Sequence, residues 1–237
     1  MLEKAIQKIV TLAENKTYEI NGQNYSDRNL VRIPKHIEKP NHFSLSGLDG
    51  VAKLIRAEIG RLDAPLFVRV TTPTQVDVFT TYLEDMDRNK VYVASAEVPG
   101  FRDGYEGHME TIIRLRSRFA PNDGQEYLLK LLSTMNMEQS AQSVDNGVTQ
   151  TVTAKQGISL AHTVTVKPIV KLKPYRTFLE VDQPESEFLL RIDENGRVGL
   201  FEADGGAWKL AAKKNVVDYF EETLKDMIEA GQVVVTM

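Results

Sequence analysis

The sequence predicts an α+β fold, with long antiparallel strands, about four helices and a β-rich second half. Three observations carry this. Apolar residues recur at helical spacing in a few well-separated stretches. Between Pro65 and Phe101 the period switches to two, in Val-, Thr- and aromatic-rich runs. After Gly147, alternating Val and Thr and glycine-containing turns dominate. With 237 residues, 42% of them hydrophobic and 26% charged, the composition is that of an ordinary globular chain. It reads as a single domain over 1–237 with an internal seam near 136–147.

The elements follow in order. Residues 2–14 place Leu2, Ala5, Ile6, Ile9, Val10 and Ala13 on one helical stripe. That stripe must bury on its own domain or on a neighbouring subunit. "TYEINGQNY" is a hairpin, because Asn21 and Gly22 both tolerate the positive φ of a type I′ turn. Residues 34–42, with Pro34 and Pro40, form a stiff extended arm. A helix from about 47 to 61 has Ser46 as its N-cap and Leu48, Val51, Ala52, Ile55, Ile59 and Leu62 as its buried stripe.

"LFVRVTT", "QVDVFTTYL" and "KVYVASAEV" are strands. "ETIIRLRSRF" sorts as a strand too, with Arg114, Arg116 and Arg118 on one face and Ile113, Leu115, Ser117 and Phe119 on the other. "APNDGQEYLLKLLSTM" is a helix opened by a capping box of Asp123 and Glu126. Beyond the polar stretch 136–147, "VTQTVTA" and "LAHTVTV" make a hairpin. "RTFLEVDQ" and "SEFLLRI" are strands around Pro184, and a second hairpin turns at Asn195-Gly196. A last helix runs from about 216 to 229, Gly231 ends it, and "QVVVTM" adds an edge strand.

Bulk properties narrow the function. A net charge of −4 argues against a general nucleic-acid or membrane-surface binder. A local basic face is still open, since salt screens charge beyond ~10 Å. No cysteine occurs, which removes disulfides, thiolate catalysis and cysteine-ligated metals. "MLEKAIQKIVTLAENK" has no uninterrupted apolar core after a basic segment, so no secretory leader is expected. No stretch reaches the ~20 apolar residues of a membrane span. The expected setting is the cytoplasm.

No catalytic residue can be named. His36, His42, His108 and His162 share no ligand spacing, and no P-loop, GxGxxG or GxSxG motif occurs. The acidic runs at 84–87, 182–187 and 193–194 fall at turns, where solvated charge is the simpler reading. No metal or cofactor is expected, and a metal-dependent enzyme acting on phosphates is the remotest alternative.

The basic features carry more weight. Arginines at 114, 116 and 118 on a strand would project every ~6.7 Å, roughly matching successive phosphates of an extended single strand. Lys167, Lys171 and Lys173 share an alternating phase, followed by Tyr175, Arg176 and Phe178. The two rings could stack on bases, at ~1–3 kcal/mol each. Against this, charged open faces and edges prevent strand-to-strand aggregation, and Pro168 and Pro174 mark an edge. The sequence favours the solvated edge.

"LKPYRTFLEVDQPESEFLLRI" (172–192) and "LFEADGGAWKLAA" (200–212) resemble the YfdQ-like proteins of phages and prophages, supported by residues 145–158 and 114–133. The resemblance implies a phage- or prophage-encoded protein made in a bacterial host. It supplies no active site, and leaves genome handling, counter-defence and assembly open. The leading expectation is a non-catalytic accessory protein that forms a homo-oligomer, a ring or closed shell, through Leu2, Ile6, Ile9 and Val10. The alternative is a nucleic-acid or nucleotide-binding accessory protein using the basic residues. Beyond itself and nucleic acid, the sequence names no host or phage protein partner, and no membrane.

Overall fold

The computed structural model describes residues 2–13, 16–26, 32–33, 39, 41–134, 142–145, 150–156 and 159–237. In chain order, α1 (Leu2–Ala13) precedes β1 (Thr17–Ile20), β2 (Gln23–Ser26), β3 (Arg32–Ile33) and β4 (Phe43–Leu45). Then come α2 (Leu48–Glu58), β5 (Leu66–Thr72), β6 (Gln75–Tyr82), β7 (Arg88–Ser95) and β8 (Gly104–Glu106). The middle of the chain holds α3 (His108–Arg118), β9 (Phe119–Ala120), α4 (Asp123–Thr134), β10 (Gln142–Asp145), β11 (Gln150–Gln156) and β12 (Ser159–Val166). It ends with β13 (Ile169–Pro174), β14 (Ser186–Ile192), β15 (Val198–Glu202), α5 (Trp208–Thr223), α6 (Lys225–Glu229) and β16 (Val233–Thr236). The fold is α+β, as the period changes predict.

Two five-stranded sheets organise it. The first has the order β16-β5-β6-β7-β4, antiparallel in the middle and parallel at both edges. Leu66, Val68, Val70, Val76 and Val78 alternate into its core, where Leu48, Val51 and Ile55 of α2 and Val216 and Phe220 of α5 meet them. The second sheet, β8-β15-β14-β13-β9, is antiparallel throughout. Its core joins Phe188, Leu190, Val198 and Leu200 to Leu115 of α3 and Leu128 and Leu132 of α4. The first core thus draws on both ends of the sequence, and the second lies between them.

Several elements differ from the sequence reading. Residues 108–118 are helical rather than extended. Leu115 and Phe119 are four residues apart, an even spacing that shares a strand face and about one turn that shares a helix face, so alternation could not separate the two readings. The helix wins by burying Thr111 and Leu115 on one face and leaving Ile113 in solvent. The cap of α2 is Gly47, not Ser46, and its first amide donates to Glu180 Oε1 at 2.7 Å from 132 positions away. A Cβ on Gly47 would lie 2.5 Å from that oxygen. At α4, Asn122 accepts the Gln125 amide at 2.9 Å, one residue before the anticipated capping box.

The final helix begins at Trp208 rather than near 216, because Asp204 accepts the Gly206 and Trp208 amides. It breaks at Leu224 into two pieces, so six helices stand among the described residues. The Asn21-Gly22 turn has φ of 52° and 75°, the type I′ signature. The 195–196 hairpin turns instead through a longer loop with only Gly196 at positive φ, and Asp193 Oδ1 accepts the Asn195 and Arg197 amides. The extended arm at 34–42 and the seam at 136–147 fall mostly outside the described residues.

"RTFLEVDQ" is not a strand. It leaves the second sheet and crosses to the first as an irregular strap. Phe178 enters the first core, and Thr177 Oγ1 donates to Pro73 O at the β5–β6 turn, 2.5 Å away. Glu180 caps α2, and Asn215 of α5 donates to Asp182 O at 2.7 Å. Buried Gln183 holds the strap's shape: its Oε1 accepts the Arg176 and Thr177 amides, and its Nε2 donates to Phe178 O. Gln183→Leu strands those amides away from water and should lower stability by about 2–4 kcal/mol, read as a shifted urea midpoint with unchanged slope.

Candidate functional site

The basic cluster that dominates the sequence does not form one surface. Arg176 is 3% exposed. Its Nη1 donates to Glu202 and its Nη2 to Ser186, each at 2.6 Å, and its guanidinium stacks 4.2 Å from the centroid of Trp208. Burial depresses its pKa, and Glu202 opposes that. This arginine ties β14 and β15 to the start of α5. Phe178 is buried, so it is no platform for a base.

The lysines are nearer to expectation. Lys167 and Lys171 are exposed and Lys173 is half-buried. Lys171 stands opposite Glu187 on β14, and Lys167 lies 4.8 Å from the Tyr127 ring. Strand β13 is not the sheet edge, because β9 pairs beyond it at Lys173 and Pro174. The Tyr175 amide donates to Arg118 O at 3.0 Å.

Helix α3 separates the three predicted arginines. Positions 114 and 118 are four apart and share a helix face, while 116 turns away. Arg114 is 9% exposed, and its Nη1 pairs with Glu106 Oε1 at 2.7 Å. Its charge is disfavoured first by burial; Glu106 offsets this and Arg118 adds to it. Its Nε and Nη2 are buried without a hydrogen-bond partner. Phe101, Arg102, Glu106, Arg114, Arg118 and Pro174 border a pocket of about 220 Å³. A second depression, about 430 Å³, runs along the same helix past Glu110 and Ile113 and shares Glu106, Arg114 and Arg118. Sequence reasoning named Arg114 and Arg118 but missed Arg102, which adjoins them only through the loop that precedes β8.

A second basic feature went unnoticed in the sequence. On the open side of the first sheet, Arg69 lies 4.9 Å and Lys90 5.5 Å from the Phe79 centroid. Arg88 lies between Phe67 and Tyr82, at 4.1 and 4.0 Å. Asp77 sits at the centre, almost wholly buried. It accepts from Thr71 at 2.9 Å and Gln75 at 3.2 Å and pairs with Arg69 and Lys90. The signal was there as Phe-x-Arg in "LFVRV" and Asp-x-Phe in "QVDVF", which strand alternation puts on one face.

The acidic turns serve structure. Lys39 bridges Asp85 and Asp87, and Asp193 closes its hairpin with Arg197. His108 Nε2 lies 2.7 Å from Leu132 O, joining α3 to α4. Among the described residues, no group of three or more His, Asp or Glu is placed to hold a metal ion, and no helix is long and apolar enough to cross a membrane. No protein-family model, curated protein or solved structure matches the chain.

Asp77 makes the sheet face sensitive to acid. Burial by itself would raise its pKa, but its hydrogen bonds from Gln75, Thr71 and Lys90 outweigh that and hold it below the ordinary carboxylate value. Its contribution to stability is therefore complete above the unfolded value of about 4 and is lost as pH falls through the lower folded value. Asp77→Asn should be less stable at pH 7 and decline less on acidification, in urea midpoints compared across that range. Parallel pH curves for the two proteins would contradict this.

Proposed function

We propose that the chain is a non-catalytic accessory protein that assembles with copies of itself and acts through its surface. Helix α1 carries this reading. Leu2, Ile6, Ile9 and Val10 are 77, 53, 65 and 51% exposed, so the stripe is not buried on the chain's own domain. A helix of 12 residues is marginal in water unless its apolar face is covered. Tyr18 and Ile20 on β1 are exposed as well.

A second copy is the simplest cover, because a two-fold axis brings the same stripe against itself. The flanking Glu3, Lys4 and Lys8 carry both signs, which an antiparallel pairing sets against each other. A ring or closed shell is the finer form of the proposal. The phage or prophage setting, and with it the bacterial cytoplasm, rests on the resemblance of residues 172–192 and 200–212 to YfdQ-like proteins.

The open face of the first sheet favours a second reading, a nucleic-acid-binding accessory protein. Three cations interleaved with Phe67, Phe79 and Tyr82 combine phosphate attraction with planes on which bases stack. Arg69, Arg88 and Lys90 against Asp77 leave the patch positive in an acidic chain.

One experiment addresses both: light scattering during size-exclusion chromatography, with absorbance at 260 and 280 nm. The full chain should elute as a homogeneous oligomer free of nucleic acid, and deleting residues 1–15 should shrink it. An unchanged mass after the deletion would sink self-assembly through α1. A species carrying nucleic acid, lost when Tyr82→Ala and Arg88→Glu are combined, would establish the second reading instead.

A further inference from the structure

We infer that the pocket between Arg102, Arg114 and Arg118 is a binding site for a small oxyanion, a phosphate group above all. It stands apart from both readings of the previous subsection, because it uses neither α1 nor the first sheet.

Like charges one helical turn apart destabilise a helix, and Arg114 and Arg118 are so placed on α3. Arg114 is also largely buried, where an unbalanced charge is costly. Glu106 is the one carboxylate on the pocket wall, against three guanidinium groups. It engages Arg114 through Nη1 alone. The Nε and Nη2 atoms, which carry more than half of a guanidinium's donors, have no partner.

A fold with no use for an anion here would place an apolar residue at 114, since well-packed apolar groups generally replace buried ion pairs without loss. An oxyanion resolves each of these features. It supplies the missing negative charge between Arg114 and Arg118, and its oxygens match the paired donors of a guanidinium fork. The volume, about 220 Å³, admits such a group, free or at the end of a larger molecule.

Phe101 gives the site its depth. Its ring lies 5.2 Å from the Arg114 guanidinium and packs edge-on against Phe119 and Phe188 of the second core. The Arg114 charge is thus held in place by the core, while Arg102 and Arg118 are exposed and reach the pocket from solvent.

The test is thermal unfolding of the full chain in inorganic phosphate, against potassium chloride of equal ionic strength. Phosphate should raise Tm by roughly 2–4 °C beyond chloride. In the Arg102→Ala/Arg118→Ala variant, Tm in chloride should equal or exceed the parent's, because the like-charged neighbour of Arg114 is gone, and the phosphate increment should vanish. If that variant does not fold, Arg118→Ala alone is read in its place, since its side chain is exposed. No increment in the parent, or the same increment in the variant, overturns the proposal.

A parallel arm compares oligothymidine with and without a 5′-phosphate. A rise with the phosphorylated oligomer alone assigns the group to a nucleic-acid end. A rise with inorganic phosphate but neither oligomer assigns it to a free ion.

Discussion

The strap from Arg176 to Gln183 joins the two cores, and much of the molecule is arranged around it. At one end Arg176 ties β14 and β15 of the second sheet to Trp208, where α5 begins. In the middle Phe178 enters the first core and Glu180 caps α2. At the far end Gln183 satisfies the strap's own amides, which no sheet partner supplies. Backbone polar groups in a buried, irregular segment must each find a partner. One glutamine side chain meets most of that demand here.

This constraint explains why the strongest basic signal in the sequence is internal. An arginine beside a tyrosine and a phenylalanine suggests a surface that touches phosphate. Here its terminal nitrogens go to Glu202 and Ser186 and its plane lies on Trp208, all beyond the reach of local pattern, and only the buried Nε is left without a partner. Two groups of cations stay accessible with incomplete local neutralisation. Arg69 and Lys90 share one buried aspartate, Arg88 lies between two rings, and Arg102 and Arg118 border a pocket whose third arginine is only partly paired. The chain's net acidity says little about either place, because charge acts over a Debye length.

Legibility in the sequence followed the reach of the interaction. Strands β5 and β6, the Asn21-Gly22 turn and the apolar faces of α2 and α4 depend on neighbours within a few residues, and they were readable. Helix α3 was not, because Leu115 and Phe119 satisfy both periods and the arginines between them carry no phase. The cap of α2 was invisible, since its acceptor lies far along the chain at Glu180. The candidate sites divided in the same way. Arg114 and Arg118 could be named, but their joining with Arg102 depends on the 96–103 loop, and the open face of the first sheet depends on three strands registering together.

Native-state hydrogen exchange at the Arg176 and Thr177 amides tests most directly whether the strap binds the two cores into one cooperative unit. The account predicts that both amides exchange only through global unfolding, with protection equal to that of the Val68 and Leu190 amides in the two sheets. Exchange at the rate of an exposed loop, while both sheets remain protected, would show that the cores hold together without the strap.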